Sequence, residues 1–248
     1  FELAEGLEPG YYVELKVGEA RRTDSRYFSY VVSAVNGRVL FRHDLTHDAF
    51  SYRVWADSSR PYLPFDGPQG NAASPHPTGL PDAYQSPFVP ASLVTLDHAG
   101  ISTNDPWLAP GATVTTGNNA DAYIDMASPD GFGAGDLRAE TTSADVFDYS
   151  YDVTLAPNAN VTQRKAAVVE IFYLNNVFHD WYYDSGFDEI ASNAQKSNYG
   201  RGGLEDDCIL AEGQDYSGRD NANMQVPADG AHPTMQMYIF SGAGTREL

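Results

Sequence analysis

The sequence predicts an α+β fold, in which a small antiparallel sheet is followed by a β-rich lobe with one long aromatic helix. Three patterns support this prediction: strand-like runs on both sides of Asn36-Gly37, a helical run over residues 161–186, and two short strand-like runs after it. Hydrophobic residues make up 42% of the 248 residues, which is enough to bury a sizeable core.

The first module covers residues 1–48. Tyr12–Val17 alternates with period two, as a half-buried strand does, and Arg26–Val35 is rich in β-branched and aromatic residues. Asn36-Gly37 is a strong signal for a tight turn, and Arg38–Arg42 is the returning strand. These runs predict a small antiparallel sheet, too short to be comfortably stable alone.

Residues 49–91 form a second segment, which is rich in proline. The aromatic residues of its irregular stretch, from about Ser58 to Pro90, favour an arm that docks on a domain, because a free linker has little use for them. They are Tyr62, Phe65, Tyr84 and Phe88.

The third segment, residues 92–248, begins with an acidic stretch. Residues 92–160 hold ten acids and one base, whereas residues 1–50 hold eight acids and six bases, so the two regions look like different modules. Short strands and turns are expected in this acidic stretch, which is rich in Asp, Asn, Gly, Thr and Ser.

The helix predicted over Val161–Gly186 is the clearest single element. Asn160 or Thr162 is expected to cap its start, and Gly186 its end. Its apolar positions recur at spacings of three and four, with one polar interruption at Asn175. They are Val168, Ile171, Phe172, Phe178, Trp181 and Tyr182. Short strands are predicted at Cys208–Ala211 and Thr234–Phe240.

Charge and composition exclude several classes of partner. The net charge of −19 argues against a nucleic-acid partner, because binding to phosphates needs a basic face. No apolar run approaches the roughly 20 residues of a membrane-spanning helix, so no membrane partner is expected. The single cysteine, Cys208, permits neither an intrachain disulfide nor a zinc site built from thiolates.

Three segments in order resemble the fungalysin family of secreted zinc metalloendopeptidases. They are the helix Phe172–Tyr183, the run Asn198–Leu204 leading to Ala211–Asp215, and the run Asn221–Met224 followed by Pro227–Gly230 and Met235–Tyr238. More loosely, Ser51–Trp55 is similar to the start of the mature enzyme, and residues 1–48 to the end of the family's propeptide.

The resemblance implies a thermolysin-like fold whose N-terminal mixed lobe is residues 92–248. It also implies a secreted, extracellular zymogen that hydrolyses peptide bonds with zinc-activated water. The family's zinc is held by a His-Glu-x-x-His helix, which lies after the strand that matches Met235–Phe240. We therefore expect the zinc ligands outside this chain, which alone should be inactive. The expected partners are a protein or peptide substrate, the C-terminal half of the peptidase, and the docked propeptide.

Histidines four residues apart occur once, at His43 and His47. Asp44 stands where the family has Glu, and the pair lies in the propeptide-like module, so chance spacing is favoured over a zinc site. No catalytic or zinc-binding residue is therefore assigned within the chain.

The resemblance assigns substrate binding to Asn221, Ala222 and Asn223. In thermolysin-like enzymes the matching residues lie on an edge strand above the cleft and hold the substrate peptide as an added strand. The alternative is a plain turn, since this run is rich in turn-forming residues.

A residue pair, an acidic run and the single cysteine each have a functional and a structural interpretation. His179 and Asp180 could form a catalytic pair, but neighbours on a helix point about 100° apart, so a structural role for His179 is favoured. The acids Glu205–Asp207 and Asp215 could bind calcium, but they lack the regular spacing of a dedicated calcium loop, so a solvated acidic loop is favoured. Cys208 is expected to be a buried apolar side chain.

Two functions remain open at this point. The chain is either the N-terminal portion of a secreted zinc metalloendopeptidase or a non-catalytic structural or binding module derived from the same lobe.

Overall fold

The computed structural model of the chain describes residues 2–3, 6–17, 26–44, 49–68 and 88–240. The chain forms two compact units, residues 1–48 and residues 49–248. None of the described helices is both long enough and apolar enough to span a lipid bilayer.

The first unit contains the antiparallel sheet predicted from the sequence. Strands β1 (Glu2–Leu3) and β2 (Gly6–Leu7) pair with each other, and β3 (Gly10–Val17), β4 (Arg26–Ser33) and β5 (Val39–Asp44) form a three-stranded sheet in that order. Between β4 and β5 the Ser33 amide donates to the Arg38 carbonyl, and Gly37 has a φ of 75°. Glycine tolerates this left-handed conformation without steric cost, which explains why Asn-Gly marks the turn.

The second unit holds two sheets. Strands β6 (Ser51–Val54), β7 (Ser92–Thr95) and β9 (Val146–Phe147) form one, in the order β7-β6-β9. Strands β8 (Ala120–Ile124), β10 (Ile209–Gly213), β11 (Ala222–Gln225) and β12 (Thr234–Met237) form the other, in the order β11-β12-β10-β8. In this four-stranded sheet β8, β10 and β12 are parallel, and β11 is antiparallel to β12.

The long helix α1 extends from Val161 to Tyr183 and is followed by a short 3-10 helix at Glu189–Ala191. The predicted cap is confirmed at Asn160, whose side chain accepts from the Gln163 amide. The predicted apolar face is partly wrong. Val168 and Phe172 are buried, whereas three of its aromatic members are exposed, namely Phe178, Trp181 and Tyr182.

The core lies between α1 and the two sheets. Tyr52 of β6 stacks on Phe147 of β9 with ring centroids 5.7 Å apart, and it also contacts Trp107 and two aromatic residues of α1, Phe172 and Tyr173. Tyr52, Phe147 and Trp107 are completely buried. Aromatic packing of this kind buries a large apolar area and fixes the position of α1 relative to the sheets.

Part of the proline-rich segment is described and contacts this core. The Phe65 amide donates to the Trp55 carbonyl, and the Tyr62 carbonyl accepts from the Tyr173 hydroxyl at 2.6 Å. These contacts are those of a docked segment. Tyr84 lies outside the described residues, so the arm as a whole stays a prediction.

Candidate functional site

The substrate-binding residues predicted from the sequence lie at one edge of the four-stranded sheet. Ala222 and Asn223 open β11, Asn221 directly precedes it, and all three side chains are exposed. Among the described residues β11 pairs with β12 alone, so its other edge carries no partner strand.

The direction of the free backbone groups follows from the pairing. The Tyr238 amide donates to the Asn221 carbonyl, so Asn221 belongs to a hydrogen-bonded pair with β12. In an antiparallel ladder these pairs alternate along the strand. The amide and carbonyl of Ala222, and likewise of Met224, therefore point away from β12.

A row of polar side chains crosses the sheet behind this edge. The register pairs Asn223 with Gln236, Gln236 with Glu212, and Glu212 with Tyr123. Residues paired across a sheet lie on the same face, so one residue from each strand contributes to the row. The Asn223 amide donates to Gln236 Oε1 at 2.9 Å, Gln236 Nε2 donates to Glu212 Oε2 at 3.0 Å, and the Tyr123 hydroxyl donates to Glu212 Oε1 at 2.8 Å.

Four carboxylates meet at the centre of this row. One oxygen each from Asp125, Asp130, Glu212 and Asp215 lies within 4.8 Å of the other three, and all but Asp130 are buried. Asp125 follows the end of β8 and Asp215 follows the end of β10, which are adjacent parallel strands. The carboxyl ends of parallel strands meet at one edge of the sheet, which brings these distant acids together.

Burial and crowding disturb the acidity of this carboxylate group. Burial raises the pKa of Glu212 to about 7, although hydrogen bonds from Tyr123 and Gln236 act in the opposite direction. Burial also raises the pKa of Asp125, and the nearby charges of Asp136 and Asp215 add to the effect. Full ionisation of the group would therefore place several negative charges where water solvates most of them poorly.

A family model described as fungalysin metallopeptidase (M36) matches residues 82–247. This chain belongs to the fungalysin family. The membership predicted from three short runs of sequence is thereby confirmed, and the mixed sheets with one long helix agree with the expected N-terminal lobe.

Several curated relatives are similar to this fungalysin chain. "Extracellular metalloproteinase MEP" of Pyricularia oryzae is 37% identical over 157 residues, which are 61% of this chain and 24% of the relative. The protein of the same name from Fusarium vanettenii is 32% identical over 170 residues, which are 67% of this chain and 25% of the relative. "Extracellular metalloproteinase 1" of Arthroderma otae is 38% identical over 141 residues, which are 55% of this chain and 22% of the relative.

The matched part of the fungalysin chain spans about a quarter of the length of these relatives. Their names support the extracellular localisation predicted from the sequence.

The described part of this fungalysin does not supply a zinc site. Zinc in peptidases is bound mainly through histidine nitrogen. Among the described residues, the group of acids around Glu212 is the single cluster able to share an ion, and it offers oxygen alone. The His43 side chain and the whole of His47 lie outside the described residues, so the chance spacing of these histidines stays a prediction.

His179 and Asp180 are closer than the sequence reasoning expected. His179 Nδ1 lies 3.1 Å from Asp180 Oδ1, so the prediction that Asp180 is poorly placed to orient His179 was wrong. Both residues are nevertheless buried, and Asp180 Oδ2 also accepts from the Trp107 indole and the Ala99 amide, each at 2.7 Å. Because Asp180 joins α1 to two loop residues, these contacts favour a structural role for the pair.

The acids of residues 205–207 fit the expected solvated loop in part, because Glu205 and Asp206 are exposed whereas Asp207 is not. Asp207 is buried and accepts from the backbone amides of Gln195 and Gly230, and Glu205 accepts from the Asn198 amide. Of the acids considered for calcium from the sequence, Asp215 alone joins the carboxylate group.

Cys208 is buried, and burial raises the pKa of its thiol to about 12. His232 Nδ1 lies 3.9 Å from its sulfur. This contact could not be predicted from the sequence, because the two residues are far apart along the chain. The thiol is nevertheless held neutral, which agrees with the expected apolar role and argues against a nucleophile.

Proposed function

We propose that this chain is the N-terminal lobe of a secreted zinc metalloendopeptidase, and that the outer edge of β11 binds the substrate peptide as an added strand. The zinc ligands are expected in residues outside this chain. Family membership supports the peptidase activity, and the single observation that carries the binding role is the outer edge of β11, which has no partner strand among the described residues.

The backbone of Ala222 is the centre of the proposed contact. Its amide and carbonyl point away from β12, so they can hydrogen-bond a carbonyl and an amide of an extended peptide lying alongside. Recognition through backbone groups holds a peptide in an extended conformation without dictating its side chains, which suits an endopeptidase.

The two asparagines have different parts in this proposal. Asn221 is exposed, and its amide can donate to and accept from a peptide group. Asn223 is already held, because its Nδ2 donates to Gln236 Oε1 and, at 2.6 Å, to the Tyr238 hydroxyl. These contacts leave its Oδ1 as the atom available to a substrate.

Two substitutions in the full-length protein test the proposal. Ala222→Pro removes the outward amide, whereas Ala222→Ser keeps it and serves as the matched control. Losing one hydrogen bond in a closed cleft should cost about 1–3 kcal/mol, or about ten- to a hundredfold in kcat/KM. Asn221→Ala should give a loss within the same range. Zinc content should be unchanged in every variant.

The measurement is kcat/KM on peptides that span the cleft, beside zinc content and thermal unfolding of each variant. If Ala222→Pro and Asn221→Ala both retain wild-type kinetics, residues 221–223 form only a turn and the binding role fails. If the full-length protein has neither bound zinc nor peptidase activity, the non-catalytic module is the better description.

A further inference from the structure

The carboxylate group around Glu212 is more crowded than its hydrogen bonds can compensate. Gln236 Nε2 faces three of the four acids, at 2.8 Å from Asp130 Oδ1, 3.0 Å from Glu212 Oε2 and 2.8 Å from Asp215 Oδ2. An amide nitrogen carries two hydrogens, so it cannot fully satisfy three acceptors. Buried carboxylates need a compensating cation or complete hydrogen bonding.

Asp125 gives a second and independent observation. It is completely buried, and its Oδ2 accepts from the Gly131 amide at 2.9 Å. Its Oδ1 is buried without any hydrogen-bond partner, and the same carboxylate contributes to the group. A buried carboxylate that has an unpaired oxygen and lies in a group with three other acids is suited to a positively charged ligand.

The chemistry of the donors selects the class of ion. All four are hard oxygen ligands, which suit calcium or magnesium and not zinc. Calcium takes oxygens at about 2.3–2.6 Å, so ligands on opposite sides of the ion are up to about 5 Å apart. The four oxygens lie within 4.8 Å of one another, which is compatible with one calcium sphere. Magnesium keeps most of its water and is usually bound by one or two carboxylates, so a group of four favours calcium.

We propose that Asp125, Asp130, Glu212 and Asp215 form a calcium site. The ion would join the loop after β8, the turn after β10 and the polar row that reaches the edge strand β11. The site concerns stability and order of this lobe. It does not depend on the proposed substrate role, because calcium binding can be measured with no substrate present.

The test uses the full-length protein, freed of calcium on a chelating resin and titrated with CaCl₂ by isothermal calorimetry, with thermal unfolding in parallel. Extracellular sites of this kind bind with a Kd on the order of 10⁻⁴ M. Asp215→Asn and Asp130→Asn should each weaken this site at least about tenfold, or lower the calcium stoichiometry by one ion per chain.

Asp130 is included because it is exposed, so its replacement should not prevent folding. The matched control is Asp136→Asn. Asp136 lies on the same loop, but its carboxylate accepts from the Met126 and Gly133 amides and is not part of the group. Asp136 lies near Asp125 but supplies no ligand, so this variant should lose clearly less calcium affinity than Asp215→Asn and Asp130→Asn.

Two results would overturn the proposal. One is a wild-type protein that binds no calcium in the millimolar range, and the other is unchanged affinity and stoichiometry in both Asp215→Asn and Asp130→Asn. A shared proton is the competing explanation for the crowded acids. It predicts that both variants stabilise the protein at neutral pH while added CaCl₂ has no effect on unfolding.

Discussion

Replacing Glu170 with glutamine should stabilise the protein at alkaline pH and leave it nearly unchanged in acid. Glu170 lies on α1, is 5% exposed, and accepts from the Trp55 amide at 3.1 Å. Burial raises the pKa of this carboxyl to about 7 from an ordinary value of 4.5. Glutamine has nearly the same shape and retains an oxygen that can accept from Trp55, but it does not ionise.

The sign follows from the direction of the pKa change. A raised pKa means that the folded state holds the proton more tightly than the unfolded state. The stability that this proton provides is fully present below about pH 4.5 and is lost as the pH rises through about 7. When the proton is fully lost, the free energy of unfolding falls by about 3 kcal/mol, since one pKa unit of difference between the two states is about 1.4 kcal/mol.

The assay is thermal unfolding of wild type and Glu170→Gln at about pH 4 and about pH 8. The free energy of unfolding of the variant should be nearly equal to that of the wild type at the acid pH and about 3 kcal/mol larger at the alkaline pH. For a domain of this size, this difference corresponds to a rise of about 6–12 °C in Tm. Comparing the two pH values cancels any effect of the new amide on packing.

Glu189→Gln is the matched control with the opposite sign. Burial acts to raise the pKa of Glu189, but hydrogen bonds from Tyr183 and Arg201 outweigh it and the pKa is lowered. This variant should therefore lose stability relative to wild type above about pH 4.5, and the difference should shrink in acid. An equal Tm difference for Glu170→Gln at both pH values would show that Glu170 titrates normally, and the reasoning from burial would fail.

Two further outcomes are expected. Asp180→Ala should destabilise the protein by about 3–5 kcal/mol in denaturant unfolding, because the Trp107 indole and the Ala99 amide lose their buried acceptor. The control Asp184→Ala, at an exposed site, should cost about 1 kcal/mol or less. Similar losses in the two variants would contradict the structural role of Asp180. N-terminal sequencing of the secreted protein should place the mature terminus within residues 46–51, and a terminus upstream of Tyr11 or downstream of Pro90 would refute that boundary.

The helix α1 shows where sequence patterning succeeds and where it fails. Its existence and its Asn160 cap were predictable because both depend on local residues. Its buried face was not predictable. A hydrophobic pattern assigns polar side chains to the solvent, but several of them are buried in α1 and form hydrogen bonds there. Gln163, for example, is 1% exposed and bonds both the amide and the carbonyl of Asp152. Such partners lie far enough away in sequence that periodicity cannot reveal them.

Strand β8 was missed for a related reason. Its sequence, Ala120–Ile124, contains small residues and an acid, which resemble the surrounding turns. The acid is Asp121, which is paired with Arg138, and all five residues of the strand are buried. Although β8 is the last strand in the order of its sheet, it is buried on both faces, so it lacks the alternation that marks a half-exposed strand.

The carboxylate group could not be predicted from the sequence, because its members come from positions as far as ninety residues apart, Asp125 and Asp215. Only the parallel pairing of β8 with β10 places them side by side. The edge residues Asn221–Asn223 were identifiable through family resemblance, and the orientation of their backbone needed the observed pairing.

The polar row across the four-stranded sheet also helps to specify the register of its strands. Each strand supplies one polar member, and its neighbours along the strand point to the opposite face. A slip of β12 by one residue would set Met235 or Met237 against Glu212 and would turn the Gln236 amide toward the apolar side. Misaligned pairings would therefore leave a buried acid without its donor, which makes them less stable than the observed register.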